Sequence, residues 1–166
     1  GELWKVKILT ALGVDVNAKD KDGNTPLHIA ISSKQQAMAE LFIMNPKTNI
    51  HLKNNEGNTP LDYAKTVDDQ KTIHLLNARI EIEEEIAGLN GDVNAQYGIH
   101  QKTLLHKYSE EGELEQIKVL INCFKADVNA KDYYNRTPLY FAAGKGCPDV
   151  IEALILGGAD VNAIYN

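Results

Sequence analysis

Cysteine, arginine and long apolar runs are all scarce in this 166-residue chain, and each scarcity excludes a class of protein. Two cysteines, Cys123 and Cys147, are too few for a disulfide scaffold and lack the close pairing of a zinc or redox motif. Both read as free thiols, so the expected setting is the cytoplasm or another reducing intracellular compartment. Two arginines against fifteen scattered lysines, with a formal net charge of −6, leave no basic stripe for a phosphate backbone. Nucleic acid is not an expected partner. The longest apolar stretches, such as Leu41-Phe42-Ile43-Met44, fall far short of the roughly 18 residues that cross a bilayer, so no membrane insertion is expected. Residues Gly1 to Lys7 do not combine the basic start and apolar core of a secretory signal. With 43% hydrophobic residues, 12 Gly and 5 Pro, the chain is neither disordered nor collagen-like.

What the chain has in abundance is repetition. Thr25-Pro26-Leu27-His28-Ile29-Ala30 returns as Thr59-Pro60-Leu61-Asp62-Tyr63-Ala64, Thr103-Leu104-Leu105-His106-Lys107-Tyr108 and Thr137-Pro138-Leu139-Tyr140-Phe141-Ala142, at steps of 34, 44 and 34 residues. A second signature keeps pace: Asp15-Val16-Asn17-Ala18, the weaker Asn49-Ile50-His51-Leu52, Asp92-Val93-Asn94-Ala95, Asp127-Val128-Asn129-Ala130 and Asp160-Val161-Asn162-Ala163. Threonine before proline caps a helix, and proline at the first helical position loses an N–H that has no partner anyway. Small residues such as Ala30 and Ala142-Ala143 then allow close helix approach. A second helix carries the apolar pairs Ile8-Leu9, Leu41-Phe42, Leu75-Leu76, Leu120-Ile121 and Leu154-Ile155. One such helix pair cannot bury its own face, so stability must come from stacking on the next copy. Asp22-Gly23, Glu56-Gly57 and Gly158 suit the turns between helices.

These motifs and their period resemble the ankyrin repeat. The resemblance covers nearly the whole chain and implies an all-α solenoid of stacked helix-turn-helix units joined by β-hairpin loops. It implies a finger-like hairpin held by the asparagine of Asp-Val-Asn-Ala, and a structural hydrogen bond between neighbouring units from His28 and His106. The copies divide the chain into a partial repeat (second helix only) at 1–14, repeats at 15–48, 49–91, 92–126 and 127–159, and the start of a further repeat at 160–166. A fragment of a longer array is expected.

The pattern breaks in two places. The second repeat holds about ten extra residues, a helical insertion near 78–90 in which Ile82, Ile86 and Leu89 share a face. The second helix is expected to be prolonged or to restart there, with Glu81, Glu83, Glu84 and Glu85 largely in water; a solvated extension and an acidic docking element both stay open. The third repeat is irregular: Leu104 replaces proline, and Tyr108 stands where other copies have Ala30, Ala64 and Ala142. Two half-arrays, roughly 1–80 and 90–166, are expected.

Catalytic chemistry finds no constellation. No Gly-x-Ser-x-Gly elbow, phosphate-binding glycine loop or His-Glu-x-x-His helix is present, and His51, His74 and His100 lack ligand spacing. No enzyme activity, cofactor, metal or small-molecule substrate is therefore expected. The resemblance instead implies a non-catalytic module that binds a protein partner through a concave face and hairpin tips; a structural spacer or targeting arm of a larger protein is the alternative. Tips of the first two repeats are small or polar. The third offers Tyr97, Ile99 and His100, and the fourth Tyr133, Tyr134, Arg136 and Lys145, and tyrosine and arginine are frequent interface anchors. These seven are the candidate partner-binding residues, flanked by Glu110, Glu111 and Asp132, which favour a partner with basic character. In animal ankyrin proteins the Asn of Asp-Val-Asn-Ala is also a hydroxylation site, a position matched by Asn17, Asn94, Asn129 and Asn162. Fifteen Asn, fifteen Ile and fifteen Lys are compatible with an AT-rich genome, in which case delivery into a host cell and a host partner are expected.

Overall fold

The computed structural model describes residues 15–164. The partial repeat expected at 1–14, and Tyr165 and Asn166, lie outside the described residues. Eight helices follow in pairs among those residues: α1 (Pro26–Ser32) and α2 (Gln36–Ile43), α3 (Pro60–Thr66) and α4 (Gln70–Gly88), α5 (Leu104–Glu111) and α6 (Leu114–Asn122), α7 (Pro138–Lys145) and α8 (Pro148–Leu156). No strand longer than a single bridge is found among the described residues. The protein is an all-helical solenoid.

Each first helix starts at its threonine. In α1, the Thr25 N–H donates to His28 Nδ1 at 3.2 Å, and the two side chains meet at 2.9 Å. The same box forms between Thr103 and His106 at the head of α5. Asp62 plays that part for Thr59 in α3. In these three helices threonine thus caps jointly with the residue three places on, which satisfies donors that the first turn leaves open.

The chain divides into two compact units, Gly1–Asn77 and Ala78–Asn166. In the first, Leu27, Ile31, Ala39, Ile43, Ala64 and Leu76 are buried between α1, α2, α3 and the start of α4. In the second, Ile82, Leu105, Ile117, Leu120, Ala142 and Leu154 form the core. The apolar pairs of the second helices need a correction. Phe42, Leu120 and Leu154 are buried, but Leu41 and Ile121 are only half-buried and Ile155 is 45% exposed, because adjacent helical residues are separated by about 100°. Leu75 and Leu76 are both buried.

The insertion is one uninterrupted continuation of α4, which runs for 19 residues and ends before Asn90 and Gly91, both at positive φ. Ile82 and Ile86 are buried as their spacing predicts. The glutamates are less free than expected. Glu85 pairs with Lys107 at 2.6 Å, Glu83 with Arg79 at 3.0 Å, and Glu81 accepts from the Tyr108 hydroxyl at 3.1 Å and from Gln116 at 2.9 Å. Of the four, Glu81 and Glu84 are exposed and Glu83 and Glu85 half-buried. Tyr108 itself is 1% exposed. The irregular tyrosine and the inserted turns of helix therefore belong together: the extension supplies the carboxylate that a buried phenol requires.

Candidate functional site

The loops between repeats are built on one device. Asp20 Oδ1 accepts from the N–H groups of Asp22 and Asn24 at 2.9 and 2.8 Å. Asn54 Oδ1 does the same for Glu56 and Asn58, and Asp132 Oδ1 for Tyr134 and Arg136. Three residues after each, the chain takes positive φ, at Gly23, Gly57 and Asn135. A short carboxylate or carboxamide thereby shapes a tight tip without a β-ladder. The third tip differs. From Asp92 to Thr103 it spans eleven positions rather than ten, and Tyr97 stands at the place of Asp20, Asn54 and Asp132. It closes instead by an antiparallel bridge, in which the N–H groups of Tyr97 and Lys102 each donate to the other's carbonyl at 2.9 and 3.1 Å.

Neighbouring copies within a unit are tied by the asparagine expected to hold the hairpin, although its bonds reach the next copy rather than its own turn. Asn17 Nδ2 donates to the Lys47 carbonyl and its Oδ1 accepts from the Asn49 N–H. Asn129 likewise donates to the Gly158 carbonyl and accepts from Asp160, and Asn94 accepts from Asp127. The first aspartate of each motif shapes the local turn, as Asp15 does by accepting from the Asn17 N–H. The histidines complete the tie. His28 Nε2 reaches the Asn58 carbonyl at 3.0 Å, and His106 Nε2 the Arg136 carbonyl at 3.0 Å. Since Nδ1 accepts from the threonine N–H, Nε2 carries the proton and both rings are neutral. Burial lowers both pKa values below the usual 6.5, against the raising effect of the carbonyl bond.

Four of the seven candidate residues come together, and a fifth, Ile99, precedes one of them in the chain. The Tyr133 N–H donates to the His100 carbonyl at 2.9 Å, joining the third and fourth tips. The Tyr133 and Tyr134 rings meet edge to face at 5.2 Å, and His100 tilts against Tyr134 at 5.6 Å. The Arg136 guanidinium lies over Tyr134 at 4.8 Å and Phe141 at 4.7 Å while Asp132 Oδ2 holds it through two bonds of 2.9 and 2.7 Å. Ile99 projects at 86% exposure and Tyr133 at 64%. Burial would raise the Asp132 pKa, but the Arg136 side chain and the Arg136 and Tyr134 N–H groups outweigh it and hold the carboxyl below its usual range.

The other two stand outside these ring contacts. Lys145 is exposed at the end of α7, where it lines a cleft of about 590 Å³ together with Arg136, Glu110, Tyr140 and Phe141. Tyr97 is half-buried, and its hydroxyl is turned out of water. Burial, then the neighbouring Glu85, Glu111 and Glu110, push its pKa up to about 12. The sequence reading missed Asp132 as organiser of the fourth tip and Lys102, which pairs with Glu110 at 2.6 Å and lies 4.4 Å over the Phe141 ring. The recurrence of Asp20, Asn54 and Asp132 five places before the capping threonine was the available signal for the first of these.

Among the described residues no group of three or more His, Cys, Asp or Glu is arranged to hold a metal ion, and no helix is long and apolar enough to cross a membrane. Cys123 is buried, which raises its thiol pKa, and neither cysteine forms a disulfide.

Comparison with known proteins agrees with this architecture. Residues 9–64 match the family model for ankyrin repeats in many copies, and residues 77–165 the model for three copies. Rabankyrin-5 of Homo sapiens is 29% identical over 161 residues, which is 96% of this chain and 13% of that protein. The nuclear factor NF-kappa-B p105 subunit of Gallus gallus is 31% identical over 157 residues, 93% of this chain and 15% of that protein. Protein fem-1 homolog A of Danio rerio is 51% identical over 45 residues, 27% of this chain and 7% of that protein. The chain therefore spans less than a sixth of these relatives. Repeats of this kind are generally protein-interaction modules and typically non-catalytic. Capping threonine, tie-forming histidine and bridging asparagine, recurring through both units and matched by both models, make this chain a member of the ankyrin repeat family.

Proposed function

We propose that the chain is a non-catalytic binding module whose protein partner docks on the tips of the third and fourth repeats, centred on Ile99, His100, Tyr133, Tyr134 and Arg136, with Tyr97 and Lys145 at the margins. One observation carries this reading: the exposed rings are already braced, edge to face and under a guanidinium that a buried aspartate holds in place. Preset side chains lose little rotamer freedom on binding, so more of the contact energy becomes affinity. A soluble partner in a reducing compartment suits the two cysteines outside any disulfide. The tips of the first unit, made of Lys21, Asp22, Asn55 and Glu56, hold no such cluster.

The test is capture from native or host lysate by the parent chain, by Tyr133→Ala with Tyr134→Ala, and by Lys21→Ala with Glu56→Ala. A protein retained by the parent and the first-unit variant but lost by the tyrosine variant supports the reading. Equal retention by all three places the site elsewhere, and no partner with any of them favours the spacer role.

A further inference from the structure

A cleft of about 360 Å³ opens at the base of the third tip, lined by Glu85 and Gly88 of α4 and Leu89 just after it, by Tyr97, and by Leu104 and Lys107 of α5. Its walls are mainly apolar, and a Cβ added at Gly88 would meet nothing within 4 Å, which leaves that side open. Two polar atoms of its lining residues, the Tyr97 hydroxyl and Glu85 Oε2, are buried and have no hydrogen-bond partner among the described residues. Such a pair is costly, because each desolvated atom gives up its hydrogen bonds to water and gains none in return. The surroundings are also lopsided in charge. Glu81, Glu85 and Glu111 act on Lys107, and Glu85, Glu111 and Glu110 on Tyr97, whereas the neighbouring ammonium groups are Lys107, paired with Glu85, and Lys102, paired with Glu110.

From this geometry we infer that the cleft takes an arginine or lysine side chain of the partner protein, its methylene stem against Leu89 and Leu104 and its cationic head shared between Glu85 and the Tyr97 hydroxyl. Long basic side chains suit a slot that combines apolar walls with a carboxylate, because stem and head have opposite demands. Lys107, with 31% of its side chain exposed, is the group that moves outward to admit the head. The apolar walls also strengthen a charge-assisted bond to Glu85 relative to one in open water. The inserted turns of α4 supply Glu85, Gly88 and Leu89, so the site exists only because the second repeat is prolonged. This inference deepens the reading of the chain as a protein-binding module, but its test needs no partner.

The probe is n-butylguanidinium, titrated into the full chain and followed by amide shifts in two-dimensional NMR, beside 1-pentanol and pentanoate as neutral and anionic controls. The expected result is saturable binding in the millimolar range, with shifts centred on Gly88, Leu89, Tyr97 and Leu104. Glu85→Gln should weaken it about 10-fold, and Tyr97→Phe, which removes only the hydroxyl, about 3-fold. Pentanol binding as tightly as the guanidinium, no saturable shift at the cleft, or affinity unchanged in both variants would each overturn the inference. The Tyr97→Phe arm remains decisive if Glu85→Gln loosens the Lys107 pair and disturbs folding. Failure here with tip-dependent capture intact would refute the arginine slot alone, whereas guanidinium binding without tip-dependent capture would refute the tip reading alone.

Discussion

The two units solve the same mechanical problem and present different surfaces. In the first, His28 ties its repeat to the Asn58 carbonyl and stands edge-on to Tyr63 at 5.5 Å. In the second, His106 ties to the Arg136 carbonyl and stands edge-on to Phe141 at 5.7 Å. The interior arrangement is matched to within a few tenths of an ångström. Outside, the Tyr63 hydroxyl accepts from Asn54 Nδ2 at 3.2 Å, and Asn54 also donates to Asn24, so the first unit's tips form an amide network. Phe141 has no hydroxyl, and Lys102 and Arg136 lie over its ring instead. One missing oxygen thus accompanies a change from hydrogen-bonded tips to tips braced by cations on aromatic faces. Packing constrains the tie, because any change there exposes a buried donor or acceptor, while the tip answers only to solvent and to whatever it binds.

The sharpest way to break the symmetry is Tyr108→Ala. It removes a fully buried ring from the second unit only, at a site the first unit fills with Ala30 and Ala64, and should cost about 3–5 kcal/mol in urea unfolding. A loss below about 1 kcal/mol would show that the extended α4 does not depend on it. Next come the matched changes His28→Ala and His106→Ala. Each leaves the buried threonine N–H without its partner and removes one of the two bonds to a carbonyl, since Asn58 also accepts from the Asn54 N–H and Arg136 from the Asp132 N–H, and should cost about 2–3 kcal/mol, nearly equal in the two units. Clearly unequal losses would mean that the shared geometry hides different energetics.

A third effect is expected in the same histidines on acidification. Because burial holds both folded pKa values below 6.5, the unfolded chain binds more protons once the pH drops below that value. Their contribution is full above about pH 7 and declines as pH falls through 6.5 towards the folded values, by at most about 1.4 kcal/mol per pH unit for each ring. Asp62 and Asp132 contribute in the opposite part of the scale: hydrogen bonds hold their pKa values below 3.8, so their share persists until the pH falls below about 3.8. Unfolding measured from pH 7 to 5 should therefore isolate the histidines, and the slope should vanish in the double His→Ala variant.

Gly23→Ala sharpens the comparison at a tip. Gly23 has φ +76°, and a Cβ there would lie 2.5 Å from Asn55 Oδ1 and 2.8 Å from the Asn55 nitrogen. A loss of about 1–2 kcal/mol is expected in the first unit. The smallest effect should be Tyr133→Ala with Tyr134→Ala, within about 1 kcal/mol of the parent in thermal unfolding despite the loss of partner capture. A large destabilisation would show that these rings support the fold rather than serve a partner.

Much of this architecture is legible in the sequence, and for a physical reason. A capping threonine, a proline at the first helical position and glycine at positive φ act over a few residues, so repetition of the motif repeats the structure. The bonds of Asn17, Asn94, Asn129, His28 and His106 recur at a fixed distance of about one repeat; the tie from the two histidines was implied by the resemblance to the ankyrin repeat, whereas the asparagines were expected to hold their own hairpins. The direction of the asparagine bond was not readable, since its own turn and the next one present the same backbone groups. Clustering of the candidate tip residues was readable only in part: Tyr133, Tyr134 and Arg136 are neighbours in sequence, but the register that brings His100 to them depends on an extra residue in the third loop.

By itself, then, the sequence determined the helix starts, the turns, the repeat period and the acidic, cysteine-poor character of the chain, because each depends on local chemistry or on counting. Tertiary structure alone decided that Glu81 and Glu85 would meet Tyr108 and Lys107, that Tyr108 and the prolonged α4 would compensate one another, and that the Tyr97 hydroxyl would turn inward while Tyr133 stayed out. Those outcomes pair groups more than twenty residues apart or set one side chain's burial against another's, and no local rule fixes which of several carboxylates a phenol or an ammonium will reach.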